Sequence, residues 1–167
     1  MRLTTRSKAI IASAAMLSSA SAIAQDAEGP ECGTFMLTYE NAWREYIDHG
    51  AEGPSTGDQL ISLGHLIDEA GNQVGEVDII TTVLAAPDDE HHPVLAILHH
   101  TFPNGSLNSV VRGALPDASD VSRGTAATHE RPITGGSGEF AHATGTATSV
   151  QNPDGSRAVT FNLICHD

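Results

Sequence analysis

The side chains with most chemical reach in this sequence are its histidines, its two cysteines and a serine set among glycines. Nine His occur, including the adjacent pairs His91-His92 and His99-His100. The first pair stands beside Asp88, Asp89 and Glu90, a concentration of nitrogen and oxygen donors. A zinc site needs three or four convergent ligands, most often in tetrahedral array. No His-x-His or His-Glu-x-x-His spacing supplies that convergence, so no metal is expected. His99-His100 falls in an apolar run of strand character. Neighbouring strand residues point to opposite faces, so at most one of the two looks inward. His142 and His166 are expected at strand ends or in solvent.

Ser137 sits in Gly135-Gly136-Ser137-Gly138, which lacks the spacing of a nucleophile elbow. No Lys follows and no helix opens there, which argues against a phosphate-cradling loop. Three glycines in four residues instead let the backbone reach positive φ and pass close to another segment. The run reads as a structural turn with Phe140 packed under it.

The cysteines, Cys32 and Cys165, stand near opposite ends of the chain. The first residues suggest the compartment. Arg2, Arg6 and Lys8 form a basic start, Ala9 to Leu17 is apolar, and Ala22-Ile23-Ala24 has the small-residue pattern of a cleavage site. The apolar run is shorter than the about 20 residues that span a bilayer. A signal peptide over residues 1–24 is therefore expected, with one domain over 25–167 delivered to the periplasm or secreted. In that oxidising setting a cysteine pair is expected to bridge. A bridge so placed brings the first and last strands together.

Removing the leader leaves five arginines and no lysine against 21 acidic residues, a formal charge of −16 with His neutral. Nucleic acids and anionic membrane surfaces both need clustered cations. Neither partner is expected, and none of the mature chain is expected in a membrane.

The elements that would position these groups are strands. Thr, Val, Ile, Gly and Ser dominate, with Gly or Pro punctuating every dozen residues or so. Strands are expected at Gly33–Tyr46, Gln59–Ile67, Val74–Leu84, Pro93–Phe102, Leu107–Gly113, Thr128–Ile133, Ala143–Gln151 and Ala158–Cys165. The Asn104-Gly105 and Asn152-to-Gly155 turns make two of the hairpins. A meander of this kind closes into a barrel or stacks as a sandwich. The terminal cysteines favour closure. The expected fold is thus all-β, an eight-stranded antiparallel up-and-down β-barrel. Leu60, Thr81 and Val83 are expected to line its interior.

Three segments carry a family resemblance. Ile133-Thr-Gly-Gly-Ser-Gly-Glu-Phe-Ala-His-Ala-Thr-Gly145 resembles the glycine-rich segment of allene oxide cyclases and dirigent barrels. Gly57-Asp58-Gln-Leu60, leading through Asp68 to Gly71-x-x-Val74-Gly75, resembles an upstream stretch. Phe102-Pro-Asn-Gly105 with Ser109-Val-Val-Arg-Gly113 resembles one of their hairpins. All three occur in the family's order. The resemblance gives Gly135, Gly136, Gly138, Phe140 and Gly145 structural roles.

The resemblance also implies function. Cyclases of this family enclose a small apolar molecule and fold it for ring closure, while dirigent proteins orient radicals in a similar cavity. No cofactor is implied, and a homo-oligomer is. Glu40 matches a buried glutamate that steers charge in the cyclases. A carboxyl in an apolar cavity has a raised pKa and serves as a general acid; an outward Glu40 would be a solvated surface group. Gly64, Thr81, Thr101 and Thr144 replace polar or basic residues of the family, so an allene oxide is not the expected substrate. Three readings follow: a cofactor-free cyclase or isomerase, a non-catalytic ligand-binding barrel, and a structural barrel with a filled core. A buried carboxyl or His in a cavity favours the first, a dry apolar cavity the second, and a solid interior the third.

Overall fold

The computed structural model describes residues 28–50, 55–84, 93–114, 128–154 and 156–166. The proposed leader, the His91-His92 pair with its acidic neighbours, and the stretch 115–127 lie outside the described residues. Eight antiparallel strands form a closed barrel in simple chain order. They are β1 (Thr34–Ile47), β2 (Gln59–Ile67), β3 (Gln73–Val83), β4 (Pro93–Phe102), β5 (Gly105–Ala114), β6 (Thr128–Gly138), β7 (Thr144–Gln151) and β8 (Arg157–Ile164). Closure comes from β1, which pairs with β2 on one side and β8 on the other.

Alternation of side chains decides what fills the barrel. Along β8, Val159, Phe161 and Leu163 are buried while Asn162 and Ile164 are exposed. Along β4, Val94, Leu98, His100 and Phe102 are buried. On β1, Leu37 is buried and Phe35 and Tyr39 pack against the core, while Glu40 is exposed. A bulge between Asn41 and Trp43 then shifts the register, so Arg44 pairs with Ser62 and Tyr46 with Leu60. An extra residue in one strand of a pair bends it and adds twist, which helps a sheet close.

The barrel has two unlike ends. One carries the tight turns after β2, β4 and β6, the start of β1, the end of β8, and the Cys32–Cys165 disulfide, whose Cα atoms lie 6.3 Å apart. We call it the turn end. All four phenylalanines of the chain meet there: Phe35 stacks on Phe161 at 4.8 Å, and Phe102 tilts against Phe140 at 5.4 Å. The strand ends that flank the other four connections lie at the opposite end, the loop end.

The glycine-rich run departs from the expected turn. It is strand: β6 continues through Ser137, which pairs with Ser106 of β5, their hydroxyls 2.8 Å apart. The expected strand end at Ile133 is only a register shift opposite Asn108 and Ser109. The chain turns after Gly138, whose φ of 62° suits glycine. Phe140 curls back and is fully buried. It fits because Gly136 has no side chain; a Cβ there would press on the Phe140 backbone. Gly135 and Gly145 also take positive φ, and Gly145 lies against Asn162 of β8.

Candidate functional site

Above the phenylalanine layer, toward the loop end, the interior changes character. A cavity of about 40 Å³ is lined by apolar Leu66, Val77, Ile79, Leu98 and Val159, and by polar Tyr39, His100, Arg131, Ser149 and Arg157. It has room for a few water molecules or a small polar group.

Each polar group arrives by the same two-residue period as the core. Arg131 precedes Ile133 by two positions on β6, and Ser149 follows Ala147 by two on β7. Arg157 precedes Val159 by two on β8 and pairs with Tyr39 across the closing seam. His100 pairs with Val77 on one side and Leu107 on the other. Tyr39 lies flat over Gly64; a Cβ at Gly64 would overlap its ring. The missing side chain at Gly64 therefore makes room for a phenol.

His100 is 1% exposed. Its Nδ1 lies 3.4 Å from the Leu107 carbonyl oxygen, a weak contact that assigns the ring proton to Nδ1, because a carbonyl only accepts. The ring meets Phe161 edge-on, with centroids 5.1 Å apart. Burial, and then the Arg131 charge, hold its pKa down to about 3. The imidazole is therefore neutral at ordinary pH. Arg131 is 6% exposed; its Nη1 donates to Ser149 Oγ at 3.2 Å, while Nε has no partner among the described residues. Burial and the repulsion of Arg157 lower its pKa to about 10, which still leaves it a cation. The Tyr39 hydroxyl donates to Asn41 Oδ1 at 3.0 Å, and burial raises its pKa against the pull of Arg44 and Arg157.

The arrangement joins a cation, a neutral imidazole and a phenol within apolar walls. Such a set can hold developing negative charge and pass a proton over a short path. No cluster of His, Cys, Asp or Glu able to hold a metal occurs among the described residues.

The residues singled out from the sequence are dispersed. Glu40 is exposed and pairs with His65, on the face opposite Tyr39. Leu60 and Thr81 are paired and half-buried nearer the loop end, with Val83 buried beyond them. Of the histidine pair only His100 looks inward; half-buried His99 meets Asn108 Oδ1 through its Nδ1 at 2.6 Å. His142 and His166 are exposed. Arg131, Arg157 and Ser149 were not anticipated. Their spacing from Ile133, Val159 and Ala147 is the available signal, and it matters most for arginine, of which residues 25–167 hold only five.

The same barrel is found in solved structures. A protein described as pyocyanin demethylase superposes with a TM-score of 0.62 at 25% identity, covering 78% of this chain and 99% of that one. The Diels-Alderase AbmU from Streptomyces koyangensis gives 0.60 at 18% identity, covering 78% of this chain. This chain spans 63% of AbmU's length. AbnU, an exo-specific intermolecular Diels-Alderase, gives 0.56 at 13% identity, covering 78% and 97%. The scaffold is one that cyclases use. No protein-family description matches the chain, and no curated protein matches it.

Proposed function

We propose that the protein is an exported barrel that takes a small, largely apolar molecule into its interior and acts on it, without a cofactor, as a cyclase or isomerase. In kind it would be related to allene oxide cyclases and dirigent barrels, although with a different substrate. The observation that carries this reading is His100, a neutral imidazole buried in a cavity it shares with Tyr39 and Arg131. A barrel that merely enclosed an apolar ligand has no need to bury such groups, because each costs desolvation free energy. The cyclases on the same scaffold add support.

The apolar walls would fold the substrate while His100 accepts a hydrogen bond from the reacting atoms and the Tyr39 hydroxyl turns its proton from Asn41 Oδ1 to donate one. A ring closure, or a proton taken from one carbon and returned to another, leaves the formula unchanged and needs no co-reactant. The small cavity would hold only the polar part. The remainder would extend past Leu60 and Thr81 toward the loop end. The disulfide is compatible with an oxidising location, which supports export.

The test begins with native mass spectrometry of protein purified from its own producer. A co-purified small molecule, lost in Leu60→Trp, supplies the substrate candidate. Incubation should then yield a product of equal mass but altered retention, formed at least about tenfold more slowly by His100→Gln. A bound molecule that is never converted would make the protein a non-catalytic binding barrel. No bound molecule and no uptake of neutral Nile red would leave a filled structural barrel.

A further inference from the structure

The cation in the cavity calls for a second explanation, because nothing described around it balances its charge. The chain has 21 acidic residues. None of those described acts on Arg131; the charge that reaches it is that of another cation, Arg157. Arg157 in turn feels the Arg44 charge, and among the described residues only Tyr39, a neutral phenol at ordinary pH, acts the other way. Buried arginines in proteins are ordinarily paired, since an uncompensated buried charge is strongly destabilising. Arg131 instead spends one donor on a serine hydroxyl and leaves Nε without a partner among the described residues.

We infer that Arg131, backed by Arg157, is an anion-recognition site, and that the barrel's substrate is an organic acid whose carboxylate seats against the Arg131 guanidinium. This inference rests on the reading of the barrel as a small-molecule enzyme and names the class of molecule. The guanidinium is a planar fork that matches a carboxylate in two parallel hydrogen bonds. The cavity volume suits such a headgroup. Ser149 Oγ accepts from Nη1 and holds the guanidinium at the cavity wall. A carboxylate anchored there would put the adjoining carbons of the substrate beside His100 and Tyr39, which line the same cavity.

The test compares trans-cinnamate with trans-cinnamamide, nearly equal in shape and differing in charge, by calorimetric titration of the mature, disulfide-bonded protein. The acid is expected to bind at least about tenfold more tightly than the amide. Arg131→Met should bring that ratio close to one, and Arg157→Met should reduce it in part. Unliganded Arg131→Met should melt at the same or a higher temperature than wild type, because an uncompensated buried charge is removed. Four results would overturn the inference: equal binding of acid and amide, an unchanged ratio in Arg131→Met, a marked fall in its melting temperature, or failure of that variant to fold. In the last two cases Arg131 would be a structural cation. Equal binding leaves the ligand-binding barrel standing and removes only its acid preference. Failure to take up either probe or Nile red removes both.

Discussion

The two ends of this barrel use the same strands, the same alternation and opposite chemistry. At the turn end, four phenyl rings, Leu107 and Leu163 interlock under a disulfide, and the connections are tight turns. Toward the loop end the inward positions become Tyr39, His100, Arg131, Ser149 and Arg157 around a cavity. The difference teaches how a small barrel divides its labour. Free energy gained where aromatic rings bury their whole surface offsets the desolvation of an imidazole and two guanidinium groups a few residues along the same strands. Apolar packing and buried polar groups are separated along the barrel axis, which places a prediction on each side.

The largest effect belongs to the turn end. The disulfide spans 133 residues of sequence. Replacing both cysteines by serine is expected to cost about 4–5 kcal/mol in the chain-entropy description. Guanidinium unfolding with and without reductant measures it. Phe161→Ala follows, removing a ring that is fully buried and touches Phe35, Phe102 and His100. A loss of about 3–5 kcal/mol is expected. If either change lost only a few tenths of a kcal/mol, the turn end would not be the stabilising half, and the contrast between the ends would fail.

How far this contrast was legible in the sequence depends on the type of signal. Strand positions were, because β-branched runs bounded by Gly, Pro and Asn-Gly turns set them locally; Gln59–Ile67 and Pro93–Phe102 match the observed bounds. Closure was favoured by the cysteines over a two-sheet sandwich, and the barrel closes. The glycine run was misjudged as a turn because its composition suits both a turn and a crowded strand. What decides is the partner, Ser106 opposite Ser137, and partners are set by the whole fold. The cavity was harder. Glu40 drew notice through family resemblance, yet parity with Leu37 and Tyr39 puts it on the outer face. Arg131 and Arg157 drew none, since charged side chains are ordinarily assigned to solvent. Counting two positions back from Ile133 and Val159 would have placed both inside.

A smaller effect, read through pH, probes the loop-end half. Burial holds the folded-state pKa of His100 near 3, below the ordinary value of 6.5. The unfolded chain therefore takes up a proton as pH falls through 6.5, and the folded chain does not until about 3. The contribution of neutral His100 is complete above pH 6.5 and is lost progressively between 6.5 and 3. Wild-type stability should drop by about 2 kcal/mol between pH 6.5 and 5 from this group, at about 1.4 kcal/mol per pH unit. His100→Phe should flatten that segment of the profile. An unchanged slope in the variant would mean that the imidazole titrates normally and that water reaches the cavity freely.

The smallest effect concerns how the loop end is held without an apolar plug. Asp58, fully buried, accepts the Tyr46 hydroxyl at 2.7 Å, the His49 amide at 2.8 Å, and the amide and hydroxyl of Ser55 at 2.6 and 3.1 Å. One carboxylate thus ties together the two described sides of the β1–β2 connection. These bonds favour its charged form, and its pKa falls to about 2. A depressed carboxylate stabilises the fold above its unfolded value and loses that contribution as pH falls through 2, so this knot loosens between about pH 4 and 2, overlapping only the acid end of the His100 window. Tyr46→Phe removes one bond and should cost about 1 kcal/mol at neutral pH. Its mark is local: amide exchange at His49 and Ser55 should quicken, while exchange of Phe161 at the turn end stays unchanged. If both ends quickened together, the barrel would open as a single unit, and the separation of its halves would be one of composition without a separation of stability.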